Sequence, residues 1–162
     1  MATMAQPMSG TSAWGDPVRV TNESGRGPAI IVCEHASNFI PPELNDLGLG
    51  ADVCESHVAW DPGALERVYN PFHAAVGSVI EKRVAAGASP AIVTIHSFTP
   101  TYHGADRPFE IGILHDEDAR LADAMLERAE AFEGLDVRRN EPYGPADGVT
   151  HTLQKHALPR GL

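Results

Sequence analysis

Two short apolar runs, each followed closely by a histidine, frame this chain. Ala29-Ile30-Ile31-Val32-Cys33 leads into Glu34-His35-Ala36-Ser37-Asn38, and Ala91-Ile92-Val93-Thr94-Ile95 leads into His96-Ser97-Phe98-Thr99-Pro100. Both runs are rich in β-branched residues and too short for helices, which predicts buried strands. Between them, Leu65, Val68, Phe72, Val76, Val79, Ile80 and Val84 recur mostly three or four apart, which predicts a helix over 64–86 with one apolar face. Pro71 falls inside that helix. Proline lacks the backbone N–H and clashes with the preceding turn, so a break or kink is expected near Asn70.

Further on, 109–114 reads as a third strand after a loop over 99–107. Asp116-Glu117-Asp118 places acids at the start of the next helix, where they suit its dipole. That helix is expected to turn Leu121, Ala124, Met125 and Phe132 inward and to end before Gly134. A short strand over 136–139, a loop over 141–148 and a last helix over 149–157 complete the series. Pro41-Pro42 opens a short helix that ends near Gly48, and Asp61-Pro62-Gly63 reads as a turn. Strands alternating with helices predict an α/β domain with a mainly parallel sheet, occupying 29–162. Residues 1–28, rich in Gly, Ser, Pro, Thr and Asn, form a loose leader.

Composition narrows the chemistry. The chain has 162 residues, which suits one domain, and 43% of them are apolar, enough for a real core. Its formal net charge is −10, and no Lys/Arg cluster stands out, which argues against nucleic acid or an anionic membrane surface as partner. No apolar run approaches the roughly 18 residues of a membrane span, and 1–15 do not form a secretory signal. Cys33 and Cys54 make no CxxC pair. Cys33, at the end of an apolar run, is expected to be a buried free thiol, in keeping with a reducing cytoplasm.

In an open α/β sheet, ligands bind beyond the carboxyl ends of the strands. His35 and His96 stand at two such ends, where two imidazoles could share one divalent ion. Zinc favours imidazole and carboxylate donors and keeps a position open in catalytic sites. Asn38 stands three residues after His35, where an H-x-x-E pattern would place a glutamate ligand. Asn is the weaker donor, so a hydrogen bond to substrate or backbone is the competing role. Asp61 is a further anionic candidate and equally a turn or capping residue before Pro62. His57 would orient a ligand. Tyr102, His103 and Arg107 follow His96 in the next loop, and Arg107 is suited to grip a substrate carboxylate through a bidentate pair. His151 and His156 are too far apart to align on one helix face, and either one would reach the site alone. His73 and His115 read as structural or exposed. No nucleophile elbow, P-loop or dinucleotide fingerprint is present.

These segments together are similar to the N-formylglutamate amidohydrolase family. Cys33-Glu34-His35-Ala36-Ser37-Asn38 with Ile40-Pro41 resembles its first motif, and 57–64, His57-Val58-Ala59-Trp60-Asp61-Pro62-Gly63-Ala64, its second. Thr94-Ile95-His96-Ser97-Phe98-Thr99-Pro100 resembles the third, and 107–114 and 148–153 resemble further family segments. The resemblance implies a three-layer α/β domain like the zinc carboxypeptidases, with a central mixed, mainly parallel sheet. It implies one zinc ion held by His35 and His96, with Asn38 in the slot of a glutamate ligand and Asp61 and Arg107 in or near the pocket. It further implies hydrolysis of a small N-acyl amino acid, N-formyl-L-glutamate for the named activity, as part of histidine breakdown. Against the family pattern a segment is missing near Leu65-Glu66, and relatives continue beyond Leu162 into a strand bearing an acidic residue, so the domain is expected to be incomplete. Bare sheet edges would then favour a homo-oligomer.

The reading that follows is a zinc-dependent amidohydrolase in which Arg107 and Asp61 serve the reaction, Arg107, Tyr102 and His151 hold substrate, and His35, Asn38 and His96 hold the metal. Two alternatives stay open: a non-catalytic zinc- or acyl-amino-acid-binding relative, and a hydrolase of another N-acyl amino acid or a peptidoglycan fragment.

Overall fold

The computed structural model describes residues 16–34 and 65–162, and the side chains from Arg67 onward in the second stretch. His35, Asn38, Cys54, His57, Asp61, the helix expected after Pro41-Pro42 and the turn at Asp61-Pro62-Gly63 lie outside the described residues. The chain divides into two compact units, one comprising Met1–Ser24 and His35–Ala75, the other Gly25–Glu34 and Val76–Leu162.

In the first unit the described helical stretch begins as a π-helical turn, Leu65–Tyr69, and passes at Asn70 into α1, Asn70–Ala85. The expected disturbance at Pro71 is therefore a change of hydrogen-bonding period. A wider turn ahead of the proline avoids the carbonyl that an α-turn would press against its ring. His73 is buried, its ring 4.2 Å from that of Tyr69 and edge-on to Phe72.

The second unit holds the strands. β1 (Ala29–Val32) and β2 (Ala91–Thr94) pair in parallel, with Ala29 opposite Ala91 and Val32 opposite Thr94, and Ile95 N–H extends the ladder to the Val32 carbonyl. Arg83 of α1 donates to the carbonyls of Gly25 and Gly27 and pins the approach to β1. β3 (Thr101–Tyr102) and β4 (Ala105–Asp106) form a hairpin. Its two loop residues, His103 and Gly104, both have positive φ, as a two-residue hairpin turn that follows strand twist requires. This hairpin lies within the segment expected to be loop. β5 (Ile111–Ile113) pairs in parallel with β6 (Val137–Arg139), and α2 (Arg120–Ala129) packs on both. α3 (His151–His156) packs on β2, and a 3-10 turn, Leu158–Arg160, follows it. The fold is thus mixed α/β, with two parallel pairs and one antiparallel hairpin among the described residues.

Three expectations are corrected. β1 and β2 are not wholly buried. Val32 and Ile92 are in the core, but Ile31 is 63% exposed, because successive side chains of a strand point to opposite faces. The same alternation puts Cys33 on the exposed side, so it is a free but exposed thiol. On α2 the buried residue is Ala122, with Leu126 and Ala129 half-buried behind it, while Leu121, Ala124 and Met125 face outward; Phe132, exposed, lies beyond the end of the helix. Small residues let the helix lie close on β5 and β6, and Arg139 of β6 makes an exposed 2.6 Å ion pair with Asp123.

Ile80 is fully buried at the centre of the core with Val76, Ile92 and Ala157 also buried. Gly77 faces His156, and a Cβ there would stand 3.8 Å from its ring, an ordinary van der Waals contact.

Candidate active site

Beyond the carboxyl ends of β1 and β2, Glu34 and His96 meet. Glu34 Oε2 lies 2.9 Å from His96 Nε2, and Thr152 of α3 hydrogen-bonds to the same carboxylate. Burial pushes the Glu34 carboxyl up, yet His96 and Thr152 outweigh it and hold the group below its ordinary value. The carboxylate raises the His96 imidazole above its ordinary value, against the opposing effect of burial. Oε2 is out of solvent, and despite its closeness to Nε2 it has no aligned hydrogen bond. The contact combines hydrogen bonding, the larger effect, with charge, and one carboxylate oxygen is left without an aligned partner beside the imidazole.

That leftover oxygen tests the fit to a divalent ion. No cluster of three or more His, Cys, Asp or Glu side chains forms among the described residues. The two donors that do meet, a histidine nitrogen and a buried carboxylate oxygen, are of the types zinc takes. The donor chemistry of Glu34 and His96 thus fits such an ion, while His35 and Asn38 lie outside the described residues.

Arg107 is placed by the hairpin. Its backbone N–H donates to the Pro100 carbonyl, and its guanidinium lies 4.5 Å from the centroid of the Tyr102 ring and 5.0 Å from that of Tyr143. NH1 donates to Tyr143 Oη at 3.3 Å and reaches the Thr99 carbonyl and hydroxyl at 3.4 Å. Thr99 stands three residues after His96, so the chain runs directly from the ionisable pair to the arginine. Phe98 stacks on Phe109 at 5.1 Å beneath this turn.

His151 opens α3, exposed, next to Thr152. His156 is buried at the far end of the same helix. His115 is structural, as expected: its Nδ1–H donates to the Asp116 carbonyl, which leaves Nε2 to accept from Arg139 at 2.8 Å. Asp116 in turn accepts from Thr150 and Gln154, tying the entry of α2 to α3. A shallow cavity of about 240 Å³ lies at the opposite end of β2, lined by Ser89, Pro90, Ile92, Leu121 and Leu158 among others; it contains none of the expected site residues.

Structure therefore brings Arg107 together with Tyr102, and His96 together with Glu34. Glu34 and Tyr143 were missed as site residues. Glu34 carried one signal, its place between a strand and His35. Tyr143 carried only that of an aromatic residue in a Pro/Gly loop.

The α/β unit carries an imidazole–carboxylate pair beyond parallel strand ends and an arginine close by in sequence, groups that can serve hydrolytic chemistry. The family model for N-formylglutamate amidohydrolase matches residues 64–162, more than half of the chain. The chain belongs to that family. A solved structure, that of gene product Atu2144 from Agrobacterium tumefaciens, is similar over 93% of this chain and 83% of that one, at 42% identity and a TM-score of 0.85. No curated protein matches.

Proposed function

We propose that this chain is a zinc-dependent amidohydrolase of N-acyl amino acids, converting N-formyl-L-glutamate and water to formate and L-glutamate within histidine breakdown in the cytoplasm. The observation that carries the reading is the Glu34–His96 pair at the strand ends, in a chain of this family. His35, His96 and Asn38 would hold the ion, on a three-layer fold like that of the zinc carboxypeptidases. When bound, the ion polarises the amide carbonyl and lowers the pKa of water towards about 7.

The chain's own residues divide the remaining work. Glu34, 2.9 Å from Nε2, orients the His96 imidazole. Arg107 takes a substrate carboxylate, and Tyr102 covers one face of the guanidinium. His151 contacts substrate from the start of α3, and Asp61 serves the reaction from in or near the pocket. No helix among the described residues is long and apolar enough to cross a membrane. Copies of the chain are proposed to associate, which sedimentation at two concentrations would test.

The test is zinc stoichiometry together with formate release. The wild-type chain should bind one zinc and deformylate N-formyl-L-glutamate, and His96→Ala should lose both. Unchanged stoichiometry in His96→Ala would remove His96 from the ligand set. Tight zinc without formate release would favour a binding relative, or another acyl substrate.

A further inference from the structure

Among the described residues, Arg107 uses one side of its guanidinium and leaves the other open. All of its side-chain hydrogen bonds run through NH1, to Thr99 and Tyr143. None is made by Nε or NH2 among the described residues. Those two N–H groups form the side edge of the guanidinium, whose parallel donors match the two oxygens of a carboxylate. No acidic side chain pairs with that edge among the described residues. The neighbouring Asp106 instead accepts from Thr101 across the hairpin at 3.2 Å.

Two tyrosines hold the group in place. Tyr102 comes from the hairpin and Tyr143 from the loop after β6, and each lies within cation–π range of Cζ. Tyr143 adds a hydroxyl contact on NH1. Its loop is itself anchored. Gly144 N–H donates to Asp147 Oδ2 at 2.8 Å, and the Glu141 carbonyl presses on Gly112, where a Cβ would stand 1.9 Å away. A guanidinium restrained in this way loses less conformational freedom on binding a ligand than a free arginine does.

We infer that Tyr143 is a specificity-determining positioning residue, which fixes Arg107 so that its Nε/NH2 edge selects a carboxylate over the isosteric amide on an N-acyl amino acid. This deepens the substrate reading above and rests on it. The ring of Tyr143 lies 5.0 Å from Cζ and its hydroxyl accepts from NH1 at 3.3 Å, and the positioning is assigned to the ring.

The experiment titrates the full metal-free chain, which cannot hydrolyse the ligand through zinc, with N-formyl-L-glutamate and with its two single amides, at the α and at the γ position. The wild type should prefer the acid over one of the amides by about tenfold or more, the loss of a charge-assisted bidentate pair. Tyr143→Ala should reduce that ratio to about threefold or less, and Tyr143→Phe should retain most of it. An unchanged ratio in Tyr143→Ala overturns the inference, as does a wild type that does not discriminate acid from amide or binds neither. Retention of acid selectivity by Tyr143→Phe and its loss in Tyr143→Ala separates positioning from a general fault in folding, because a misfolded chain would lose affinity for acid and amides alike. Formate release by the zinc-loaded chain is read separately, so the hydrolytic reading and this one can fail independently.

Discussion

Glu34 adjoins one histidine in the chain and meets the other in space, 2.9 Å from His96. The sequence shows the first relation and hides the second, because the register of two parallel strands decides which side chains share their ends. The expectation for Cys33 failed for a related reason: an apolar run does not say which of its residues lies on the covered face. Replacing Glu34 by Gln keeps the shape and removes the charge. Where a carboxylate orients a metal-binding histidine, its loss costs about 10–100-fold in affinity, and Glu34→Gln is expected to weaken zinc binding by that amount. Competition against a coloured chelator reads it, and equal affinities would show that the carboxylate only neighbours the imidazole. Tyr143 was illegible because Arg107 lies in another part of the chain, and nothing local in 141–148 announces the pairing.

Among the elements, the strands and helices were legible from period and punctuation, while their faces were less so. The outer stripe of α2, with Leu121 and Met125, is more apolar than its packed stripe, and Ala122 is the residue buried because its small side chain allows close approach. The hairpin over 101–106 was missed since only Gly104 marks its turn. Gly112 in β5 shows what packing demands of an element. A methyl group there would collide with the Glu141 carbonyl, a backbone atom that moves only with its loop. Gly112→Ala should destabilise the chain by about 1–3 kcal/mol, seen as a lower urea midpoint; an unchanged midpoint would mean the loop yields freely. His156 sets a pH dependence for α3. Burial, aided by the charges of Arg160, Lys155 and His151, lowers it below the ordinary 6.5. The unfolded chain therefore takes up the proton more readily than the folded one. Its contribution to stability is full above that ordinary value and is lost as pH falls through the lower folded one. His156→Gln should flatten the decline in urea midpoint between about pH 7 and about pH 5. An equally steep decline in the variant would assign it to other groups.

At the scale of the whole molecule, the mixed α/β class was legible because parallel pairing follows from strands separated by a helical crossover, as between β5 and β6 through α2. The order of strands was not, since it depends on contacts far apart in sequence. The proposed ion would act at this scale as well. It would bind the folded arrangement of donors and not the unfolded chain, so it would stabilise by mass action, by about 2.7 kcal/mol at a free concentration 100 times its dissociation constant. For a chain of this length each kcal/mol moves the melting temperature by about 2–4 °C. Saturating zinc should therefore raise Tm by about 5–10 °C, and a chelator should return it to the starting value. In His96→Ala the shift should vanish, since the donor that faces Glu34 is gone. Equal shifts in both chains would place the stabilising ion elsewhere, and no shift in the wild type would leave the Glu34–His96 pair as an ion pair of the fold and remove metal from the proposed mechanism.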